Sequence, residues 1–560
     1  MSDRVAIDAI APSESSQWFG ERLGGILAPG NRAVASAITW CDHQLESGHT
    51  CLDFSLPVIA DLAARPDGGR ASATAMLPAE WLDALRACEH TTVGTTALLT
   101  ESGRPLVVEG TRLFLAANHS DEIAIARSLR ARAAQPSRWK GAKAGAVAVS
   151  TGAGAAIDPA QAAAVALISK ASLALVTGGP GTGKTTIASR MVDAVVREQA
   201  DAKILLVAPT GKACARLTQS MRRAAESKEL PAATRKVLEK VTAITMHSAL
   251  LRASGEAVAE ADLVIVDECS MVGAALMRQL LDKVPATASL VLLGDAHQLA
   301  SVTGGTVLSD VMPTSDSHPL AECTVRLTTS HRFPAGGDIA MVAAAVNDGD
   351  WSKVRARLEG GTEVVWHKVR SAKEVVDVSL ARRAAASGSA CILCGHRIGR
   401  DGSLAINRAL VRTLGTTRDI DPETGEDFVG RAIIVTANDS VTGLVNGDTG
   451  TIEERASDGA QSAVRVAVFA DRADAIPVAQ LPAHEAAYAL TIHKAQGSEY
   501  ERVIVALPAE PSPVITRELL YTAITRTRGS VEIIATEAAL KAAVETQVHR
   551  ASGLRERMAS

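Results

Sequence analysis

Aromatic residues are scarce in this chain: six Trp, three Tyr and six Phe among 560 residues. A protein that holds nucleic acid mainly by stacking bases on rings needs more of them. No charge of one sign dominates. Lys plus Arg number 58 against 62 Asp plus Glu, for a formal charge of -4. That excludes a histone-like protein gripping a polyanion by bulk charge, so any such grip must use local basic faces. No apolar run approaches the roughly 20 residues that span a bilayer. The opening MSDRVAIDAIAPSESS carries acids and no long apolar core, unlike a secretory signal. Cysteines are few and scattered (Cys41, Cys51, Cys88, Cys214, Cys269, Cys323, Cys391 and Cys394), which reads as reduced thiols in a cytosol and not as a disulfide framework. What remains is ordinary globular stock, 47% hydrophobic and 21% charged. The length suits three or four domains at roughly 150 residues each.

Residues 1–140 read as a mostly helical N-terminal domain. Periodic stretches run from Asn31 to Leu45 and from Ala79 to Cys88. A turn at Ser102–Pro105 leads into a short hairpin over Leu106–Leu115, and a helix is expected to start near Ser120 and Asp121, good N-cap types. Arg127, Arg130, Arg132, Arg138, Lys140 and Lys143 then follow with no acid between them. Two readings stand side by side: a solvated helix end with linker, or a basic strip facing nucleic acid or a partner. Residues 141–156, rich in Gly, Ala and Ser, are the linker candidate.

From 157 the texture changes. Continuous apolar runs at Leu173–Thr177, Ile204–Ala208, Leu263–Val266 and Leu290–Leu293 suit strands buried on both faces of a parallel sheet. A second set follows at Ala390–Leu393, Ile433–Thr436, Val503–Ala506 and Val531–Ala535. The economical architecture is two tandem α/β cores, 157–340 and 341–560. Turns at Asn446-Gly447 and Asp458-Gly459 mark a small β module inserted at about 430–482.

Gly178-Gly179-Pro180-Gly181-Thr182-Gly183-Lys184-Thr185 fits G-x-x-x-x-G-K-[ST] between an apolar strand and a helix expected from Thr186 to Val196. Its glycines let successive N–H groups face one cavity. Lys184 reaches the β and γ phosphates, and the Thr185 hydroxyl ligates Mg²⁺. Asp267 and Glu268 emerge at the carboxyl end of Leu263–Val266, the side of such a sheet where ligands sit. Asp267 suits the metal and Glu268 the attacking water. Gln298, after Leu290–Leu293, can sense the γ-phosphate or the water.

In order, GGPGTGKT, VAPTGKACARL, ITMHSALL, VIVDECSM, LLGDAHQLASV, LTTSHRF, ALTIHKAQGSEY and LLYTAITRTR resemble the motifs of superfamily 1B DNA helicases. Within them the sequence is most similar to the RecD family, the α subunits of the RecBCD helicase–nuclease (exodeoxyribonuclease V). Segments at Gly48–Leu52 and Pro105–Leu113 add weaker agreement, and no nuclease cluster is legible. The resemblance implies two tandem RecA-like cores, a small inserted β-barrel module and a mostly helical N-terminal domain. It implies ATP and Mg²⁺ as cofactors, 5′-to-3′ movement on DNA, and RecB-like and RecC-like partners at duplex ends. It makes Gln161 the adenine reader and places Gly179, Pro180, Gly181, Thr182, Gly183 and Thr186 around the nucleotide. Arg332 and Arg526 become the arginines that reach the γ-phosphate, and Gly497 and Glu499 the bridge between nucleotide and DNA. His297 stands where the family usually has an acid. The segment between Leu251 and Asp262 leaves little room for a strand-separating hairpin.

Single-stranded DNA is expected at two matched groups on strand ends: Pro209, Thr210, Gly211, Lys212, Thr245 and His247 on the first core, and Thr491, His493, Lys494 and Gln496 on the second. A free-standing helicase and a nucleotide-binding regulatory subunit without motor activity are the competing functions. Cys41, His43, His49 and Cys51 resemble zinc ligands by type, but the spacing is no standard finger and Trp40 and Leu52 suggest packing. Cys391 and Cys394, on a strand, read as core.

Overall fold

A computed structural model describes residues 12–55, 78–94, 103–141, 158–251, 255–301, 304–334, 336–385, 390–416, 427–455, 464–469, 472 and 474–559. Most of the linker candidate 141–156, the Asp458-Gly459 turn and the opening eleven residues lie outside these. The chain divides into two units. One holds 1–209, 213–331 and 548–560; the other holds 210–212 and 332–547.

The first unit opens with helices Glu14–Leu27 and Arg32–Glu46, the second capped by Asn31, whose Oδ1 accepts from Ala33 and Val34. A four-stranded sheet joins β1 (Leu52–Asp53), β2 (Thr91–Val93), β3 (Leu106–Glu109) and β4 (Arg112–Leu115) in the order β1-β4-β3-β2. The hairpin expected over Leu106–Leu115 is β3 and β4, with Val108 opposite Leu113. The next helix spans Ala116–Ala134, so it starts four residues before Ser120 and has no side-chain cap. Ser120 and Asp121 lie inside it.

A six-stranded sheet follows: β5 (Leu173–Gly178), β6 (Ile204–Ala208), β7 (Ile244–Thr245), β8 (Leu263–Val266), β9 (Ser289–Gly294) and β10 (Thr324–Leu327), in the order β10-β5-β9-β8-β6-β7. Every pairing is parallel. Alternate residues feed two cores, as the period-2 pleat requires. Leu173, Leu175, Val264, Val266, Leu290 and Leu292 face one cluster; Ala174, Val176, Leu263, Ile265, Val291 and Leu293 face the other.

Ile125, Ala126 and Leu129 of helix Ala116–Ala134 belong to the first of those clusters, together with Leu554 and Met558 from the chain's last helix. The sequence reading assigned that helix to a separate N-terminal domain and the last residues to the second core. The structure uses both as cover for the first sheet. Buried Leu and Met side chains outweigh chain order here, each contributing about 1.5–3 kcal/mol.

The second unit contains β11 (Val364–Lys368), β12 (Ala390–Cys394), β13 (Ala432–Val435), β14 (Thr449–Arg455), β15 (Val464–Phe469), β16 (Ile476–Pro477), β17 (His484–Ala486), β18 (Ala489–Thr491), β19 (Tyr500–Ala506) and β20 (Thr527–Ala535). Its parallel sheet has the order β11-β20-β19-β12-β18. β13 to β17 form a separate antiparallel sheet, β16-β15-β14-β13-β17. Ile433–Val435 therefore belongs to the inserted module, within the bounds expected for it, although its apolar run also resembled those of the second core. Among the described residues no pairing joins β16 to β17, so the module is an open sheet and the expected barrel is not closed. Its core is Ile433, Val435, Leu444, Ile452, Ala467, Phe469 and Ile476.

Candidate nucleotide site and nucleic-acid interface

β5 runs into the glycine loop and the loop into helix Lys184–Glu198. Gly181 (φ 77°) and Gly183 (φ 88°) sit in the left-handed region that favours glycine. A Cβ on Gly183 would fall 2.5 Å from Gln161 Nε2. That contact shows what Gln161 does here: its amide nitrogen donates to Thr182 O at 3.0 Å and lies 3.0 Å from His331 Nε2. His331 N–H in turn donates to Gly181 O at 2.8 Å, and Ser330 Oγ to Pro180 O at 3.1 Å. Ser330 and His331 thus clasp the loop. The sequence reading missed them because only the neighbouring Arg332 carried a motif role. Lys184 Nζ donates to the carbonyls of Gly178 and Gly179, and Thr182 Oγ1 to Gly179 O at 2.9 Å. Thr185 and Thr186 lie half-buried in the first helical turn.

In the sheet, β9 separates β5 from β8, so the glycine loop, the Asp295–Gln298 turn and the Asp267-Glu268 pair leave three consecutive strands on one side. Asp267 is buried, and its Oδ1 accepts from the Glu268 N–H at 2.9 Å. Burial first, and then the Glu268 charge, raise its pKa above the usual carboxylate range. Glu268 holds φ 51°, the one left-handed non-glycine among the described residues. Such a conformation costs on the order of 1–3 kcal/mol and clusters at working sites. Gln298 Nε2 donates to Asp295 Oδ2 at 3.1 Å, His297 N–H to Asp295 Oδ1 at 3.0 Å, and Ala296 N–H to Thr177 Oγ1 at 3.2 Å, which braces the turn against β5. The donor set fits a magnesium nucleotide. Backbone amides and an ammonium suit phosphates, and a crowded, desolvated carboxylate such as Asp267 gains from a divalent cation.

In the second unit Arg332 pairs with Glu499 and donates to Thr525 O at 3.2 Å. Arg528 Nε takes the other Glu499 oxygen at 3.0 Å. The residue assigned to the γ-phosphate and the residue assigned to the nucleotide–DNA bridge are therefore paired with each other. Arg526 is buried and donates from Nε to Thr522 O at 3.1 Å. Gly497 adopts φ 75°.

The strand-end groups resolve into capping and exposed members. Thr245 Oγ1 accepts from Ser248 N–H at 3.2 Å and Thr491 Oγ1 from Lys494 N–H at 3.3 Å. Both threonines close the turn that follows their strand. His247 and His493, each two residues further on, are exposed. Lys494 reaches Glu485 on β17. Pro209, Thr210, Gly211 and Lys212 are half-buried where β6 gives way to helix Gly211–Ala225, and Gln496 is half-buried beyond β18.

The basic stretch after Arg127 is divided: Arg127 and Lys140 are exposed, as a solvated helix end would be, whereas Arg130, Arg132 and Arg138 are engaged within the first unit. Arg132 is buried and donates to Val284 O (2.7 Å), Pro285 O (3.0 Å) and Ala288 O (3.0 Å). Arg130 donates to Arg557 O, and Arg138 meets Asp262. These three cations fasten the helix and the segment after it within the first unit; Lys143 lies outside the described residues. Cys41 packs in the N-terminal core and Cys51 in a different cluster beside Ala551, while His49 Nδ1 accepts from Ala551 N–H at 2.8 Å. Cys391 and Cys394 are both buried, and burial pushes the Cys391 thiol up to about 12.

Three family models match the chain: an AAA domain over 161–304, a UvrD-like helicase C-terminal domain over 486–534, and the RecBCD enzyme subunit RecD N-terminal domain over 19–114. The RecBCD enzyme subunit RecD of Mycolicibacterium smegmatis is 38% identical over 436 residues, 72% of this chain and 76% of that protein. The ATP-dependent RecD2 DNA helicase of Deinococcus radiodurans is 31% identical over 366 residues, 64% of this chain but 46% of that protein. Among solved structures, that of two coordinating Pif1 helicases on forked duplex DNA aligns at 17% identity with a TM-score of 0.41, covering 70% of this chain and 95% of that one.

Proposed function

Because this chain belongs to the RecD family of superfamily 1 helicases, whose activity is ATP-dependent, we propose that it is the 5′-to-3′ motor of a RecBCD-like complex. In that reading it acts with RecB-like and RecC-like subunits on double-strand DNA ends during recombinational repair, in the cytoplasm. The observation that carries the reading is the convergence of glycine loop, Asp267-Glu268 pair and Gln298 turn on three neighbouring strand ends of one parallel sheet.

Each residue then has a physical task. Lys184 and the N–H groups of Gly179 and Gly181–Thr186 neutralise and orient the phosphates. Thr185 and Asp267 would hold Mg²⁺, which would draw charge from the phosphoryl oxygens. Glu268 takes the proton of the attacking water, and Gln298 orients that water. Gln161 releases His331 to read the adenine. Arg332 and Arg526 supply cations to the transferring phosphoryl group. Glu499 exchanges Arg332 for its role at the DNA side as the cycle proceeds. The strand-end groups Pro209–Lys212, Thr245 and His247, and Thr491, His493, Lys494 and Gln496 hold sugar and phosphate, so binding is indifferent to sequence and sensitive to salt. The chain is 38% identical to a RecD subunit and 31% identical to a RecD2 helicase, and a RecD N-terminal domain model matches 19–114, which supports the subunit reading.

The test is ATPase rate with and without single-stranded DNA for wild type and Lys184→Gln. DNA should stimulate wild type, and the substitution should lower kcat by on the order of 10²-fold or more, the scale of losing one transition-state donor. Turnover indifferent to DNA would end the motor reading. Failure to co-purify with two large partner subunits would shift it to a free-standing helicase.

A further inference from the structure

β12 and β18 are adjacent parallel strands, so the loops that leave their carboxyl ends lie side by side. The β18 loop carries His493 and Lys494. The β12 loop, Gly395–Gly402, has no role in the reading above, yet it is firmly built. Ser403 N–H donates to His396 O at 3.0 Å and Leu404 N–H to Arg397 O at 3.1 Å. His396 Nε2 meets Ser512 Oγ at 3.0 Å, and the Asp401 carboxylate accepts from Ala509 N–H at 2.8 Å. A Cβ on Gly402 would sit 2.7 Å from Arg397 O, so the turn demands glycine.

The tip of this braced loop is Arg397-Ile398-Gly399-Arg400, all exposed, with Ile398 at 78%. A branched aliphatic side chain held out in water contributes nothing to the fold. Arg400 has no ion-pair partner among the described residues. Arg397 meets Glu485 at 3.2 Å, and the other Glu485 oxygen takes the Lys494 ammonium. One carboxylate from the antiparallel module thus ties together cations from two neighbouring strand-end loops.

We propose that Arg397–Arg400 is a further single-stranded DNA contact, with Ile398 as an apolar wedge against the bases, Arg397 and Arg400 on flanking phosphates, and Glu485 as the positioning residue that holds Arg397 and Lys494 until phosphates displace it. The occupant follows from complementarity: three cations around one apolar tip match a polyanion with flat apolar faces, and aliphatic wedges unstack bases as rings do. The inference rests on the reading of the chain as a DNA motor.

The experiment is fluorescence anisotropy of a labelled oligothymidylate against the full-length chain across a salt titration, with melting midpoints to confirm that each variant folds. Ile398→Ser should raise Kd about 5-fold at every salt, the low end of a base-stacking loss, and Ile398→Phe should restore it. Arg400→Ala should lower the slope of log K against log salt by about 0.7, one phosphate on a single strand. Glu485→Gln should tighten binding. If Lys494→Ala weakens binding while Ile398→Ser and Arg400→Ala match wild type in Kd and slope, this inference is overturned and the motor reading stands. If wild type itself does not bind at low salt, the motor reading falls and takes the inference with it. Loss of co-purification with partner subunits at unchanged DNA affinity would assign the tip to protein docking, against the proposal.

Discussion

Two stretches of this chain gather cations, and they put them to opposite uses. Between Arg127 and Lys143 the basic residues outnumber those of the Arg397–Arg400 tip, and by density alone the first is the stronger candidate for a polyanion site. In the structure Arg132 is buried, with three carbonyls at the end of helix Ala274–Lys283 and the start of β9 as its acceptors. A cation there also meets the negative end of the helix dipole. Arg138 meets Asp262 and lies 4.7 Å over the Trp139 ring. At the tip, Arg397 shares one carboxylate with Lys494, and Ile398 stands in water beside it. Clustered charge in a sequence therefore says little until its acceptors are counted. Cations already committed to buried carbonyls hold the protein together, and only those left in solvent can meet a ligand.

The largest effect that sharpens this contrast belongs to Arg557, which Arg130 also touches. Arg557 is buried, donates from Nε to Glu122 at 3.2 Å and meets Glu109 with its other nitrogens. Glu122 has no solvent exposure and also accepts from Thr50, Ser552 and the Gly553 N–H. Arg557→Met strands that carboxylate and should cost about 3–5 kcal/mol in denaturant unfolding. Arg132→Met, which leaves three carbonyls without a donor, should cost about 3 kcal/mol. Neither should change the salt slope of DNA binding. A stable Arg132→Met chain with a shallower slope would reverse the contrast.

The same junction should make stability depend on pH. Burial first, then the charges of Arg550 and His549, lower the His49 pKa to about 4. Folded His49 stays neutral while the unfolded chain takes up its proton, so this contribution is present above about 6.5 and is lost as pH falls toward 4. Asp310, raised to about 6 by burial, acts in the opposite direction over part of that window. Glu109 is held at about 2, because hydrogen bonds from His119 and Arg557 outweigh its burial, and it acts only at lower pH. The readout is thus a difference. His49→Asn keeps an acceptor for the Ala551 N–H, and its melting midpoint should fall less than wild type between pH 7 and about 4.5. Parallel curves would show that His49 does not titrate with folding.

The buried strands were legible because β5, β8 and β9 are apolar on both faces, a pattern with few alternatives at that length. β7, two residues long, and β11, with Trp366 and His367 half-exposed, carried no such signal. The glycine loop and the acidic pair were legible because their chemistry is local. The Ser330–His331 clasp was not, since its partners lie about 150 residues away and a serine and a histidine beside a motif arginine have many possible fates. The return of 548–560 to the first unit was equally hidden: Arg557 and Leu554 gain meaning only from Glu122 and the first sheet. Sequence patterning reports what a residue shares with its neighbours along the chain, whereas these roles depend on what folding brings from far away.

The smallest expected effect is the most discriminating one. Of the exposed cations of the first stretch, Arg138 meets Asp262, whereas Arg127 and Lys140 have no ion pair among the described residues. If that stretch serves the fold alone, Arg127→Ala combined with Lys140→Ala removes two solvated charges that hold nothing, and stability should stay within about 0.5 kcal/mol of wild type. The salt slope of DNA binding should not move either, whereas two lost phosphate contacts would lower it by about 1.4. A slope reduced that far, with an unchanged melting midpoint, would mean that buried Arg132 anchors a strip whose outer cations do meet a polyanion. The two basic regions would then differ in degree and not in kind.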